Sequence, residues 1–227
     1  MSEEQEFSVS EDAKALVKEI IHKNNWEPVS EVKYYPGTEA GDGYACKHVA
    51  VEITQSTGTI RLFMKYALHF KISNEMPVDK VCANEIYFYE VVLPAYQEFL
   101  RKKNVQDGFR HVPKCYGSFA KNVIALENIK DRGFTLFDRN TIMDDNHIIL
   151  VLETFAKLHA TSFAFKDQDR ENYDKLVASW DGDVYSVLPK DSSIRKTWTG
   201  MIRDGLKKLD PAKDRKILDR CDAYKVH

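Results

Sequence analysis

Neither sign of charge dominates this sequence: 33 basic residues stand against 35 acidic ones over 227 positions. A formal charge of −2 argues against a wholesale polyanion binder, so no nucleic acid is expected as a partner. Long apolar runs are missing as well. The best of them, Ile148 to Leu152, is five residues, against roughly 20 for a membrane helix, and no membrane association is expected. The acidic start, Met1-Ser2-Glu3-Glu4-Gln5-Glu6, is not followed by an apolar stretch of signal-peptide type. Cys46, Cys82, Cys115 and Cys221 form no C-x-x-C pair, so they read as reduced, mostly core thiols in a cytoplasmic protein. There is no Gly-x-Ser-x-Gly elbow, and His147 and His159 are too far apart for an i, i+4 ligand pair, so no metal site is expected. What is present, 43% hydrophobic and 30% charged residues, is the balance of a globular chain long enough to bury a core.

Periodicity supplies the organisation. Ala13, Leu16, Val17, Ile20 and Ile21 recur at helical spacing, with Ser8 and Glu11 placed as a capping box. From Val29 to Ala67 the period is that of strands: Val49, Val51 and Ile53 alternate, Gln55-Ser56-Thr57-Gly58 turns the chain, and Ile60, Leu62 and Met64 alternate on the return. A long helix is predicted over Asp79 to Lys103, kinked at Pro94. Short strands are predicted over Lys114 to Phe119 and Asn122 to Ile129. A strong helix begins near Asp144, where Asp144 and Asp145 read as N-capping or dipole-favoured carboxylates, and weaker ones follow over Ile194 to Leu209 and Lys213 to Tyr224. Strands first and helices afterwards predict an α+β chain with a sheet-bearing half and a helical half.

Two features invite chemistry. Gly37, Gly41 and Gly43 fall within seven residues between strands, where glycine lets backbone amides approach an anion or simply turns a hairpin. Lys65 lies inside the apolar strand Leu62 to Leu68, where an ammonium needs either a partner or an exposed sheet edge. Twenty residues on, Glu85 falls in the first turns of the next helix, and a strand lysine with a helix glutamate under a glycine loop is the kinase arrangement for holding nucleotide phosphates.

Five ordered segments then carry a resemblance. They are Gly41-Asp42-Gly43-Tyr44-Ala45, Asn84-Glu85 running into Phe88-Tyr89-Glu90 and Leu93-Pro94-Ala95-Tyr96, Pro113-Lys114-Cys115-Tyr116, Leu126-Glu127-Asn128-Ile129 with Arg132-Gly133-Phe134, and Leu152-Glu153 with the helix Ala156 to Ala164. Together they resemble insect ecdysteroid-kinase-like proteins, relatives of choline and aminoglycoside kinases, over residues 30 to 165. The resemblance implies a protein-kinase-like bilobal α+β fold: an N-lobe over 1–126, a connector over 127–133, and part of a helical C-lobe over 134–227. It implies ATP-dependent phosphorylation of a small-molecule alcohol, with ATP and magnesium as cofactors. Carried over, Gly37, Gly41 and Gly43 would cover the phosphates, Lys65 held by Glu85 would contact them, and Glu127 to Ile129 would meet the adenine through backbone groups. The connector residues read equally well as an ordinary strand end.

The departure is as informative as the match. Kinases of this group carry a His-Gly-Asp catalytic loop with a downstream Asn, and a later metal-binding Asp-Phe-Gln-like segment. Neither triplet occurs in these 227 residues, and Asp181-Gly182-Asp183, lacking a preceding histidine, reads as a surface turn. The expectation is therefore a fragment of a small-molecule kinase, inactive alone; the alternative is a catalytically dead relative that binds nucleotide or ligand. The alternative carries a structural problem: without later helices the apolar face from Ile148 to Phe163 would lie exposed unless a partner covered it, which favours the fragment.

Overall fold

The computed structural model describes residues 7–38, 46–67, 78–138, 140–181 and 188–223. The α+β order expected from the sequence is the one observed. Helix α1 (Glu11–Lys23) buries Ala13, Leu16, Val17, Ile20 and Ile21, the five positions its periodicity picks out. Its cap differs from the expectation. Ser10, not Ser8, is the N-cap and accepts from the Ala13 amide at 3.2 Å, while Glu11 sits in the first turn and pairs with Lys14 at 2.8 Å. Among the described residues, Ser8 takes part through its backbone carbonyl, which accepts from Lys47 Nζ and Tyr66 OH. Ser10→Ala is thus expected to lower unfolding free energy by about 1 kcal/mol and Ser8→Ala to leave it nearly unchanged, as measured by urea titration.

Strands β1 (Val29–Pro36), β2 (Cys46–Gln55), β3 (Gly58–Ala67), β4 (Cys115–Phe119) and β5 (Val123–Glu127) form one antiparallel sheet in the order β1-β2-β3-β5-β4. Alternation assigns its two faces. Val49, Val51, Ile53, Leu62, Met64, Tyr66, Val123 and Ala125 pack with α1 in the main core. Ile124 and Leu126 point the other way and pack on Ile86 of helix α2 (Val78–Tyr87). Because β5 is covered on both faces, its residues Val123 to Leu126 are all buried.

The long helix expected over Asp79 to Lys103 is three pieces: α2, a π-helical turn over Phe88–Val92, and α3 (Leu93–Lys102). Pro94 has no amide hydrogen and its ring collides with the carbonyl four residues back, that of Glu90, so the wider π turn relieves the clash where a kink was expected. Beyond β5, a single 3₁₀ turn over Ile129–Arg132 is capped by Asn128 and ended by Gly133 in the left-handed region at φ 81°.

Helix α4 (Asp145–Gln168) begins at the expected cap, where Asp144 accepts from the His147 amide at 2.9 Å. That hydrogen bond holds the Asp144 carboxyl below the usual carboxylate range. Its C-terminal half packs against α3 through Phe165, Tyr96 and Phe99. Its N-terminal half presents Ile149, Leu150, Leu152 and Phe155 to solvent, at 51%, 62%, 62% and 53% exposure, as the sequence led us to expect. By length and composition α4 as a whole is long and apolar enough to cross a membrane, although its longest uninterrupted apolar run is short; 11% of that apolar window is buried. Glu153 and Lys157 interrupt the run without making the helix polar.

Helix α5 (Arg170–Ala178) was not legible in the sequence. Its apolar face is short, Tyr173 and Leu176 packing on the Tyr96, Phe99 and Phe165 cluster, and Arg170–Asp174 and Lys175–Glu171 ion pairs one turn apart lace its exposed side. By its contacts the chain divides into two compact units, Met1–His69 with Val78–Gly182, and Phe70–Pro77 with Asp183–His227. The described part of the second unit holds α6 (Ser193–Leu206), capped by Ser192 on the Arg195 amide, and α7 (Arg215–Ala223). The Asp181-Gly182-Asp183 turn expected from the sequence lies outside the described residues except for Asp181.

Candidate functional site: an ion pair between sheet and helix

The hairpin geometry decides which residues meet Lys65. A two-residue turn at Ser56-Thr57 fixes the β2–β3 register, and counting back along it puts His48 opposite Lys65. On the far side Lys65 is in register with Ile124. Leu62, Met64 and Tyr66 face α1, so Lys65 faces α2, and its Nζ donates to Glu85 Oε1 at 2.7 Å. The two side chains keep 28% and 30% of their surface exposed. The charges are therefore neither stranded in an apolar core nor dispersed in water, and the ammonium remains accessible to a second anion.

Around the pair the chain places aromatic and polar groups. His48 Nδ1 lies 3.1 Å from Thr38 Oγ1, and its ring leans on Phe63 at a centroid distance of 5.4 Å. Gly37 is buried, and its amide donates to the His48 carbonyl at 3.0 Å. Gly41 and Gly43 lie outside the described residues. One turn before Glu85, Cys82 approaches Cys46 on β2, sulfur to sulfur, at 2.8 Å. Tyr89 sits on the same side of the sheet as Cys115 and Ile86. Burial first, then the nearby Glu85 and Cys115, push its hydroxyl up to about 12, so it stays protonated in ordinary buffers.

Glu127 and Ile129 stand further along. Glu127 pairs with Leu62, three residues from Lys65 on β3, roughly 10 Å away by strand rise. Its amide donates to the Lys114 carbonyl at 2.8 Å, and its carboxylate accepts from Arg132 at 3.5 Å. The Asn128 amide donates to the Arg61 carbonyl at 3.3 Å, and the Ile129 carbonyl accepts from Phe134 at 3.4 Å. The structure thus brings Gly37, Lys65 and Glu85 together near the open end of the β2–β3 hairpin, and places Glu127 beside Leu62 at the middle of β3, with Ile129 beyond it. Sequence reasoning missed His48 and Phe63, although counting back from the turn was signal enough. It also missed the Cys46–Cys82 contact, which only tertiary structure reveals.

A cavity of about 610 Å³ lies behind α2, lined by Lys80, Asn84, Tyr87, Ser118 and Trp180 among others, and reaches neither Lys65 nor Glu85. Among the described residues no cluster of three His, Cys, Asp or Glu side chains is placed to hold a metal ion.

The site is thus a cation on the central strand of the sheet, held by a carboxylate from the helix packed on it. The profile of the ecdysteroid kinase-like family matches residues 40–219. The chain belongs to that family. The match covers Lys65, Glu85, Glu127 and Ile129, and it runs past α4 through α6 into α7. As a member of the ecdysteroid kinase-like family the chain has a kinase-like α+β fold, sheet first and helices after. No curated protein and no solved structure matches it.

Proposed function

We propose that this chain carries the nucleotide-binding part of an ATP-dependent kinase that phosphorylates an alcohol hydroxyl of a small molecule. The observation that supports this reading best is the Lys65–Glu85 pair at 2.7 Å, spanning β3 and α2. In kinase-type phosphoryl transfer a strand lysine held by a helix glutamate positions the nucleotide phosphates. Glu85 keeps the Lys65 ammonium extended across the sheet, where a polyphosphate would find it pre-aimed. The Glu127 to Ile129 segment, about 10 Å along the strand, lies at a distance suited to the base of the same nucleotide.

The pair binds and orients; it does not complete a transfer. The sequence contains no His-Gly-Asp triplet to orient or deprotonate an acceptor hydroxyl. Among the described residues there is no cluster of His, Cys, Asp or Glu side chains placed to hold magnesium. Nucleotide binding without turnover by these 227 residues is therefore the expected behaviour. The apolar N-terminal half of α4 supports the same reading, since further helices of a complete lobe would cover it.

The test is nucleotide titration of the isolated chain, read by thermal shift and calorimetry. ATP and ADP are expected to raise the midpoint, and Lys65→Ala to weaken binding at least about tenfold, some 1.4 kcal/mol. A chain folded by circular dichroism that shows no nucleotide-dependent shift sinks the proposal. Phosphate transfer to an alcohol by the isolated chain would overturn the part that places catalysis elsewhere.

A further inference from the structure

The Cys46 and Cys82 sulfurs come from different elements, β2 and α2, and are 36 residues apart in sequence. Their separation of 2.8 Å exceeds an S–S bond by only about 0.8 Å. Both are carried as thiols, Cys82 buried and Cys46 half-buried, so an oxidant from solvent reaches the pair through Cys46. Cys82 and Glu85 occupy i and i+3 of α2, one above the other on the same helix face. On β2, Cys46 lies two residues from His48, which is the register partner of Lys65. The thiol pair therefore flanks the ion pair and ties together the same two layers.

We infer that Cys46 and Cys82 form a reversible redox switch, in which a disulfide fastens α2 to the sheet and holds Glu85 against Lys65. The oxidant is hydrogen peroxide. The Cys46 thiolate attacks one peroxide oxygen, the O–O bond breaks, and Cys46 becomes a sulfenic acid while the other oxygen leaves as hydroxide, taking up the thiol's proton as water. The Cys82 sulfur then attacks the Cys46 sulfur; the S–O bond breaks, the S–S bond forms, and the departing hydroxide takes the Cys82 proton to give a second water. Two thiols lose two electrons and one peroxide gains them. A dithiol reductant reverses the step by exchange.

The electrostatics suit Cys46 as the attacking group. The hydrogen bond with Cys82 draws its thiol below the usual thiol range, with the Lys65 charge assisting against burial and the Glu85 charge. Cys115 is the contrast: burial pushes its thiol up. Closing the bond asks for a sub-ångström approach and leaves Lys65 and Glu85 where they are. It also encloses all of β3 in a covalent loop, which restricts the unfolded chain. The inference concerns the geometry of the ion pair and stands whether or not the site takes nucleotide.

The experiment is titration of the full 227-residue chain with hydrogen peroxide, followed by non-reducing peptide mass spectrometry. The expected product is a Cys46 peptide linked to a Cys82 peptide, lighter by two hydrogens, formed before Cys115 or Cys221 is modified and cleaved by dithiothreitol. In the oxidised chain the thermal midpoint should rise and amide exchange over α2 should slow. Cys46→Ser should abolish both the linked product and the shift. Oxidation of Cys221 or Cys115 while Cys46 and Cys82 remain unlinked overturns the inference. A linked product with unchanged or faster exchange over α2 overturns the holding role. Both readings come from the unmutated chain, so they survive if the serine variant does not fold.

Discussion

Leu62→Ala is expected to destabilise the chain by about 2–5 kcal/mol, whereas Leu150→Ala should stay within about 0.5 kcal/mol. Leu62 is 0% exposed, in register with Val51 on β2 and packed in the core that α1 closes over the sheet. Truncating it removes buried methyl groups and leaves a hole lined by residues already pinned by strand pairing, so the surroundings cannot collapse to fill it. Leu150 is the same residue type at 62% exposure on α4, with little to lose. Urea unfolding of both variants measures the contrast directly. It also distinguishes the two halves of the molecule. The sheet and α1 form a core complete in itself, while the N-terminal half of α4 is apolar surface whose burial depends on something further. Comparable losses from the two substitutions would mean that α4 is covered in solution, for example by self-association, which sedimentation would reveal.

Much of this was legible because burial imposes a period. The five buried positions of α1 and the alternation of β2 and β3 were readable since each element has one face on a single core. Lys65 and Glu85 were readable for the opposite reason: a cation in an apolar strand breaks the pattern and calls for a partner. What escaped was whatever local spacing does not encode. The π turn at Phe88–Val92 reflects a backbone clash at Pro94, and the apolar face of α5 is only Tyr173 and Leu176, too short to show as a period. Glu153 and Lys157 cut the apolar run of α4 and hid how apolar the whole helix is. Of the candidate site, the ion pair was foreseen. His48 and the two thiols that surround it were not, because they arrive by strand register and tertiary packing.

Gly37 shows the difference most sharply. Its sequence context suggested freedom for an anion or for a turn, yet the structure gives it a packing reason that holds with or without a ligand. A Cβ built there would stand 2.9 Å from both His48 C and Val49 N, and 3.0 Å from the Phe63 ring. Two of those neighbours are backbone of β2, where Val49 is held between Pro36 of β1 and Met64 of β3. The Phe63 ring can turn aside, but the β2 backbone cannot. A side chain at 37 must therefore push the end of β1 outward and stretch the hydrogen bond from the Gly37 amide to the His48 carbonyl, now 3.0 Å long. Gly37→Val is expected to cost about 1–3 kcal/mol, the range for overpacking a well-filled interior. It should also speed amide exchange at the end of β1. Both effects are expected in the ligand-free chain. If Gly37 served only to let an anion approach, the substitution would leave free stability intact and weaken nucleotide binding alone. The thermal midpoint without nucleotide, set beside nucleotide affinity for the same variant, separates these outcomes, and the contacts at 2.9 Å favour the loss of stability.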